Sequence, residues 1–153
     1  MDLESIKGML DNFDLAEVLP DLGPILENLP LIMRILVMAG PVLMVVMGLL
    51  YFFAAPREAN HHFGYRCYFG MGSVDAWRYT QRVAGITWMV LGAVLSIAML
   101  VLSGDFAAQE TLDMVLSAII GVLWQAGLLL IASFLIRTVV AFRFNRHGEY
   151  RRK

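Results

Sequence analysis

Three long apolar runs constrain the fold of this chain more than any other feature of its sequence. They cover residues 31–54, 83–102 and 114–136. Crossing a hydrocarbon core of about 30 Å at about 1.5 Å per residue takes roughly 20 apolar residues, so each run is long enough to span a bilayer. Because the bilayer core offers no water to an open backbone, each run must be helical. The sequence therefore predicts an all-α integral membrane protein with three transmembrane helices.

The overall composition agrees with a membrane protein. Hydrophobic residues make up 59% of the chain and charged residues 16%, whereas about a quarter of the residues in a soluble domain are charged. The stretch before the first run is long and acidic and has no small-residue cleavage site, so we expect that run to be retained as an anchor. The single cysteine, Cys67, excludes an intrachain disulfide.

The distribution of positive charge predicts the orientation. The segment before the first run carries several acidic residues and only Lys7, and the connection between the second and third runs has no lysine or arginine. Four arginines lie between the first and second runs, and six basic residues follow the third. Basic connections stay in the cytoplasm. The N-terminus is therefore predicted outside the cytoplasm and the C-terminus inside it.

The N-terminal segment has apolar residues at roughly helical spacing with acidic residues between them. Two interpretations stay open: an acidic amphipathic helix at the outer face of the bundle, or a partly ordered tail. The predicted organisation is an acidic extracytoplasmic segment 1–30, transmembrane helices 31–54, 83–102 and 114–136, a cytoplasmic connection 55–82, a short outer loop 103–113 and a basic cytoplasmic tail 137–153.

Aromatic residues flank the first two runs. Tyr51, Phe52 and Phe53 close the first run, and Trp77 and Tyr79 precede the second. Such positions are typical of an aromatic belt at headgroup depth. We therefore expect these side chains to lie at the membrane interface.

Two residues interrupt the first run. Arg34 lies about one turn inside its outer edge, from where the side chain is expected to extend outward to the headgroups. Pro41, preceded by Gly40, lies in the body of the run. A proline there removes one backbone hydrogen bond and usually kinks the helix.

The end of the cytoplasmic connection predicts a helix that continues into the second run. Ser73 is a suitable N-cap, and Asp75 in the first turn suits the helix dipole. Trp77, Gln81 and Gly85 follow at spacings of four, so they share one face of that helix.

An ordered set of residues distinguishes this connection. Its members are Asn60, Gly64, Tyr65, Arg66, Ser73, Trp77, Gln81, Arg82 and Gly85. Placed directly before a membrane helix, this set resembles the SdpI-like family of small bacterial membrane proteins, named after an immunity protein against a secreted toxin. The sequence departs from that family at Cys67, where a hydroxyl residue is more usual, and in its acidic N-terminal extension. The resemblance implies toxin immunity as the activity and the bacterial cytoplasmic (inner) membrane as the location.

Several polar side chains allow two interpretations. Arg66 either holds the loop to helix ends or binds a lipid phosphate or an acidic partner. Arg78 and Arg82, one turn apart, are expected to face lipid headgroups in general rather than a specific ligand. Gln125, a polar residue in the middle of the third run, either bonds to another helix or faces a cavity that receives a ligand.

The sequence argues against several chemistries. His61, His62 and Cys67 lack an evident fourth ligand, so we predict no metal site. No catalytic arrangement or phosphate-binding glycine motif is present, so we predict no cofactor and no enzyme activity. The three runs carry no Asp or Glu at depth, which argues against a proton-coupled transporter. Nucleic acid is not an expected partner.

The favoured hypothesis is a non-enzymatic membrane protein that protects its cell against a membrane-acting toxin. Its expected partners are the lipid bilayer and a peptide or protein toxin on the outer face. The alternative is a small accessory or scaffold subunit, as a homo-oligomer or within a larger membrane complex. Small residues in the second and third runs, including Gly85, Gly92, Gly121 and Gly127, would admit a neighbouring helix.

Overall fold

Long α-helices form most of the described part of the chain. The computed structural model describes residues 27–59 and 62–151. Its elements are α1 (Leu29–Phe53), α2 (Val74–Leu102), a 3-10 helix (Ser103–Ala108) and α3 (Thr111–Arg143). The three α-helices are each long and apolar enough to cross a membrane, which confirms the all-helical prediction with three helices of spanning length. Most of the predicted acidic N-terminal segment lies outside the described residues.

Two of the helices are longer than the apolar runs within them. α2 begins at Val74 and α3 continues to Arg143, because helical hydrogen bonding does not require apolar side chains and hydropathy marks only the part that suits lipid. The predicted N-cap of α2 is confirmed, since the Ser73 hydroxyl oxygen accepts the Ala76 N–H at 3.1 Å. Asp113 in the first turn of α3 and Arg143 in its last turn suit the helix dipole.

α1 and α2 form a closely packed antiparallel pair. A Cβ added to Gly85 would lie 3.0 Å from the Gly48 carbonyl oxygen, and one added to Gly92 would lie 2.9 Å from the Pro41 carbonyl oxygen. Glycine is needed where helix backbones approach this closely. The small residues of the second run were expected to admit a neighbouring helix, and at Gly85 and Gly92 that helix is α1. In α3, by contrast, a Cβ on Gly127 would have no neighbour within 4 Å.

Two clusters of buried side chains lie at opposite ends of the bundle. We call the end with residues 54–73 and 144–151 the loop end, and the end with the start of α1 and the 3-10 helix the acidic end. The loop-end cluster includes Tyr65, Ile136 and Phe144, and the acidic-end cluster includes Met99 and Phe106. Many apolar side chains between the ends are exposed, as a lipid-facing surface requires and as a monomer in water rarely allows.

The expected aromatic belt is only partly present. Phe53 is 76% exposed, but Trp77 is 0% exposed and Tyr51 only 9%. Trp77 and Tyr51 are therefore covered by protein rather than exposed to lipid headgroups. The connection between α1 and α2 folds over both rings, so they pack within the protein.

Candidate functional site

The centre of the loop end is a pair of hydrogen bonds between a side-chain amide and one backbone residue. Gln81 Oε1 accepts the Tyr65 N–H at 2.8 Å, and Gln81 Nε2 donates to the Tyr65 carbonyl oxygen at 2.8 Å. The Gln81 side chain is 3% exposed. Because both polar atoms of the amide are matched, burial leaves neither unsatisfied. This pairing holds the loop against α2.

Trp77 makes a second attachment between the loop and α2. Its Nε1 donates to the Pro56 carbonyl oxygen at 2.8 Å. Gly64 lies over the ring with a φ of 120°, and a Cβ there would come within 2.6 Å of the indole. Only glycine satisfies both the positive φ and the close approach. The motif therefore places Gly64 where the buried Trp77 ring leaves no room for a side chain.

The aromatic residue of the motif connects the loop to α3. The Tyr65 hydroxyl donates to the Ser133 carbonyl oxygen at 3.2 Å. Its ring meets Tyr51 edge-on at 6.2 Å and Trp88 at 6.3 Å between centroids, a favourable aromatic geometry. Trp88 Nε1 is buried and has no hydrogen-bond partner in the part of the chain that the structure describes. Tyr65 thus contacts all three helices of the bundle.

Ser73 joins the start of α2 to the segment after α3. Besides capping α2, its hydroxyl donates to the Gly148 carbonyl oxygen at 2.7 Å. Gly148 has a φ of 74°, and a Cβ there would collide with the backbone of Gly72 and Ser73. The residues after α3 therefore fold back onto the connection between α1 and α2.

Aromatic and cationic contacts support this return of the chain. Phe144 and Tyr150 form an antiparallel bridge with ring centroids 4.7 Å apart. The Arg143 guanidinium lies over the Tyr79 ring at 4.7 Å and over the Tyr150 ring at 5.7 Å, within range of a cation–π interaction. Residues 144–150, part of the predicted basic tail, therefore pack on the protein.

Gln125 lies away from the loop, between α3 and α1. Its Nε2 donates to the Val37 carbonyl oxygen at 3.0 Å. In an α-helix that carbonyl would accept the N–H of residue 41, and Pro41 has none. A Cβ on Gly40 would collide with the Gln125 amide oxygen. Gln125 thus supplies the donor that Pro41 removes, and Gly40 leaves room for it.

A polar cavity opens at the acidic end. It has a volume of about 280 Å³ and lies between the start of α1 and the 3-10 helix. Arg34 lines it and its Nε donates to the Ser103 hydroxyl oxygen at 3.3 Å. Leu31 and Phe106 supply apolar wall. The cavity therefore combines one cation, Arg34, and one acidic residue, Glu27, with apolar surface at the end of the bundle.

The arginines of the motif lie on the outside of the loop end. Arg66 and Arg82 are both exposed. Arg82, Arg78 and Arg57 line a smaller cavity beside the end of α1. Asn60 and His61 lie outside the described residues. Cys67 is 6% exposed within the loop-end cluster, and no group of metal-binding side chains occurs among the residues that the structure describes.

The structure therefore separates the predicted site residues into a buried set and an exposed set. The buried or half-buried residues Gly64, Tyr65, Ser73, Trp77, Gln81 and Gly85 form one framework around the start of α2. Sequence reasoning missed their partners, which are mostly backbone carbonyls and Gly148. The glycine at position 148 offered one sequence signal, since a glycine after a basic helix end suits a sharp turn.

These features define a multi-pass helical membrane protein whose first connection is packed onto its second helix. A protein-family model matches the part of the chain that contains this framework. The chain belongs to the SdpI/YfhL protein family, which matches residues 57–142.

The match confirms the resemblance drawn from the loop residues and extends it through α2 and most of α3. At the level of the family it supports a membrane protein of the toxin-immunity type, and the SdpI family is not an enzyme family. No curated protein and no solved structure matches the chain.

Proposed function

We propose that this chain is a non-enzymatic immunity protein that protects a bacterial cell against a membrane-acting toxin. The observation that carries the proposal is membership of the SdpI/YfhL family over residues 57–142. The framework of Tyr65, Trp77 and Gln81 lies within that region and gives the loop a single packed arrangement. The immunity role is thus proposed for a folded bundle rather than for a free loop.

We further propose that the acidic end faces outward, in the cytoplasmic membrane of the bacterium. The support is the arginine content of the loop end, since basic connections remain in the cytoplasm. Cysteine labelling tests it in a Cys67→Ala background, with an exposed site at each end: Tyr68→Cys and Ala107→Cys. In intact cells an impermeant maleimide should label only the cysteine at 107. Labelling of only the cysteine at 68 would contradict the orientation.

In this orientation the cavity beside Arg34 would meet the toxin. Its single guanidinium can bind a carboxylate or a main-chain carbonyl, and its apolar wall suits the end of a membrane-active peptide. The acidic N-terminal segment would contribute to the same surface. The toxin contact is therefore proposed at the acidic end, with the family motif maintaining the bundle.

Survival of cells measures this function directly. A deletion strain is challenged with culture supernatant from toxin-producing relatives and complemented with the wild type, Arg34→Gln or the matched loop-end control Arg146→Gln. We expect the deletion to sensitise the cells, and only Arg34→Gln to restore protection poorly at equal membrane levels. Unchanged survival of the deletion strain would contradict the immunity role. Full protection by Arg34→Gln would contradict only the proposed contact surface.

An accessory-subunit role is the second candidate. Gly127 on α3 has no neighbour within 4 Å, and open glycines are common where membrane helices meet. Purification of the tagged chain in mild detergent distinguishes the two roles. A stable homogeneous monomer would argue against the subunit role, and a second copy or another subunit in constant ratio would support it.

A further inference from the structure

A small open cavity lies at the loop end, between the end of α1 and the first turns of α2. Its volume is about 110 Å³, below the roughly 300–1,000 Å³ of pockets that enclose drug-sized ligands. Arg57, Arg78 and Arg82 line one side, and Tyr51 and Phe52 line another. The cavity can therefore receive a small anionic group next to an apolar surface.

The positive charge around this cavity is not neutralised within the described chain. A guanidinium stays protonated at physiological pH, and none of the three arginines forms an ion pair with a carboxylate among the described residues. The acidic residues nearest in sequence, Glu58 and Asp75, do not line the cavity. Three cationic side chains thus border one cavity with no paired carboxylate among residues 27–59 and 62–151.

The walls of the cavity are held in place by contacts already described. The bond from Trp77 Nε1 to the Pro56 carbonyl oxygen fixes the chain directly before Arg57 against α2. Arg78 and Arg82 lie four residues apart on that helix and therefore share a face. A site that already has its binding geometry costs less free energy to order when a ligand binds, so the ligand binds more tightly.

The position of the cavity indicates which anion it would meet. Phe52 and Phe53 are exposed at the end of α1, and Arg82 directly precedes the apolar run of α2. The cavity thus lies where the apolar surface of the bundle gives way to the polar loop. A phospholipid presents its phosphate at that depth, with its acyl chains beside the apolar helices. A free phosphate ion has no apolar part that could contact the aromatic wall.

We propose that this cavity is a specific site for the phosphate of an anionic phospholipid headgroup, bound by Arg57, Arg78 and Arg82. The planar guanidinium forms paired hydrogen bonds with phosphate oxygens. The sequence alone had suggested only general headgroup contact for Arg78 and Arg82. The site is independent of the immunity role, because it lies at the opposite end of the bundle from Arg34.

Lipid retention by the purified full chain in detergent tests the proposal. Native mass spectrometry counts bound phosphatidylglycerol, with phosphatidylcholine as the zwitterionic comparison and inorganic phosphate as competitor. The variant Arg57→Gln/Arg78→Gln/Arg82→Gln is compared with Arg137→Gln/Arg146→Gln/Arg151→Gln, which removes the same charge from exposed positions away from the cavity. Circular dichroism without added lipid checks that each variant is folded.

We expect one phosphatidylglycerol per wild-type chain, bound more tightly than phosphatidylcholine and not displaced by millimolar phosphate. The cavity variant should bind it about a hundredfold more weakly, at roughly fivefold for each of the three arginines, and the control should bind it almost as well as the wild type. Equal weakening in both triple variants would overturn the site, and displacement by phosphate would overturn the lipid source. If the cavity variant does not fold, the three single Arg→Gln variants replace it, and undiminished binding in all three would overturn the site.

Discussion

Replacing Gln125 by leucine should destabilise the bundle through a backbone group on another helix. The Gln125 amide donates to the Val37 carbonyl oxygen at 3.0 Å, and Val37 is 0% exposed. Hydrogen bonds between membrane helices average about 0.6 kcal/mol, whereas leaving a buried polar group unpaired costs about 1–3 kcal/mol. Because Pro41 supplies no N–H, the Val37 carbonyl would be left unpaired and the larger cost applies. We therefore expect a loss of about 1–2 kcal/mol in the free energy of unfolding.

A double-mutant cycle with Pro41→Ala tests that reasoning. Alanine restores an N–H that can bond to the Val37 carbonyl, so Gln125→Leu should cost about 1 kcal/mol less in this background than in the wild type. Unfolding is followed by circular dichroism during titration with sodium dodecyl sulfate from a mild detergent. Trp124→Leu serves as the control, because that neighbouring side chain is 66% exposed and should contribute little.

Equal costs of Gln125→Leu in both backgrounds would refute the link between Pro41 and Gln125. A large loss from Trp124→Leu would show that any change in this turn of α3 perturbs the bundle. The cycle is informative because it subtracts the separate effect of removing the proline.

Three further substitutions test the framework and the helix contacts. Gln81→Leu should cost about 2–3 kcal/mol in the same detergent titration, because it leaves the Tyr65 N–H and carbonyl unpaired, and a loss under about 0.5 kcal/mol would contradict this. Gly92→Ala should cost about 1–3 kcal/mol because its Cβ would meet the backbone of α1, whereas Gly127→Ala, in open space, should be neutral or stabilising by up to about 1 kcal/mol; equal effects would contradict the packing. Gly148→Ala should release the segment after α3, since its φ is 74° and an L-residue there costs about 1–2 kcal/mol; trypsin should then cleave that segment faster, and unchanged cleavage would count against its docking.

The N-terminal half of α2 shows how far local patterns extend. Ser73, Asp75 and the shared face of Trp77, Gln81 and Gly85 predicted a helix that starts well before the apolar run, and α2 does start at Val74. Capping and helical periodicity act within a few residues, so they can be identified in a sequence. The same patterns could not show that the connection covers Trp77, because that depends on where residues distant along the chain return.

The two glutamines illustrate the other limit. Gln125 was recognisable as a polar residue in an apolar run and Gln81 as a member of the loop motif. The partner of each is a backbone group, at Tyr65 for Gln81 and at Val37 for Gln125. Only the second had a sequence signal, since Pro41 leaves one helical carbonyl without its donor. A proline in one run and a lone amide in another could have been paired on that ground.

The amino-acid sequence alone determined the number of spanning helices and the helical class, because the cost of placing polar backbone in hydrocarbon leaves so few alternatives. It also determined the family, through the ordered residues of the loop. The three-dimensional packing decided which carbonyls the buried amides reach, which glycines allow α1 to approach α2, and that the segment after α3 returns to Ser73. Every residue carries a backbone carbonyl, so a pairing with a carbonyl leaves no mark on residue type. Proximity in the folded chain makes that choice.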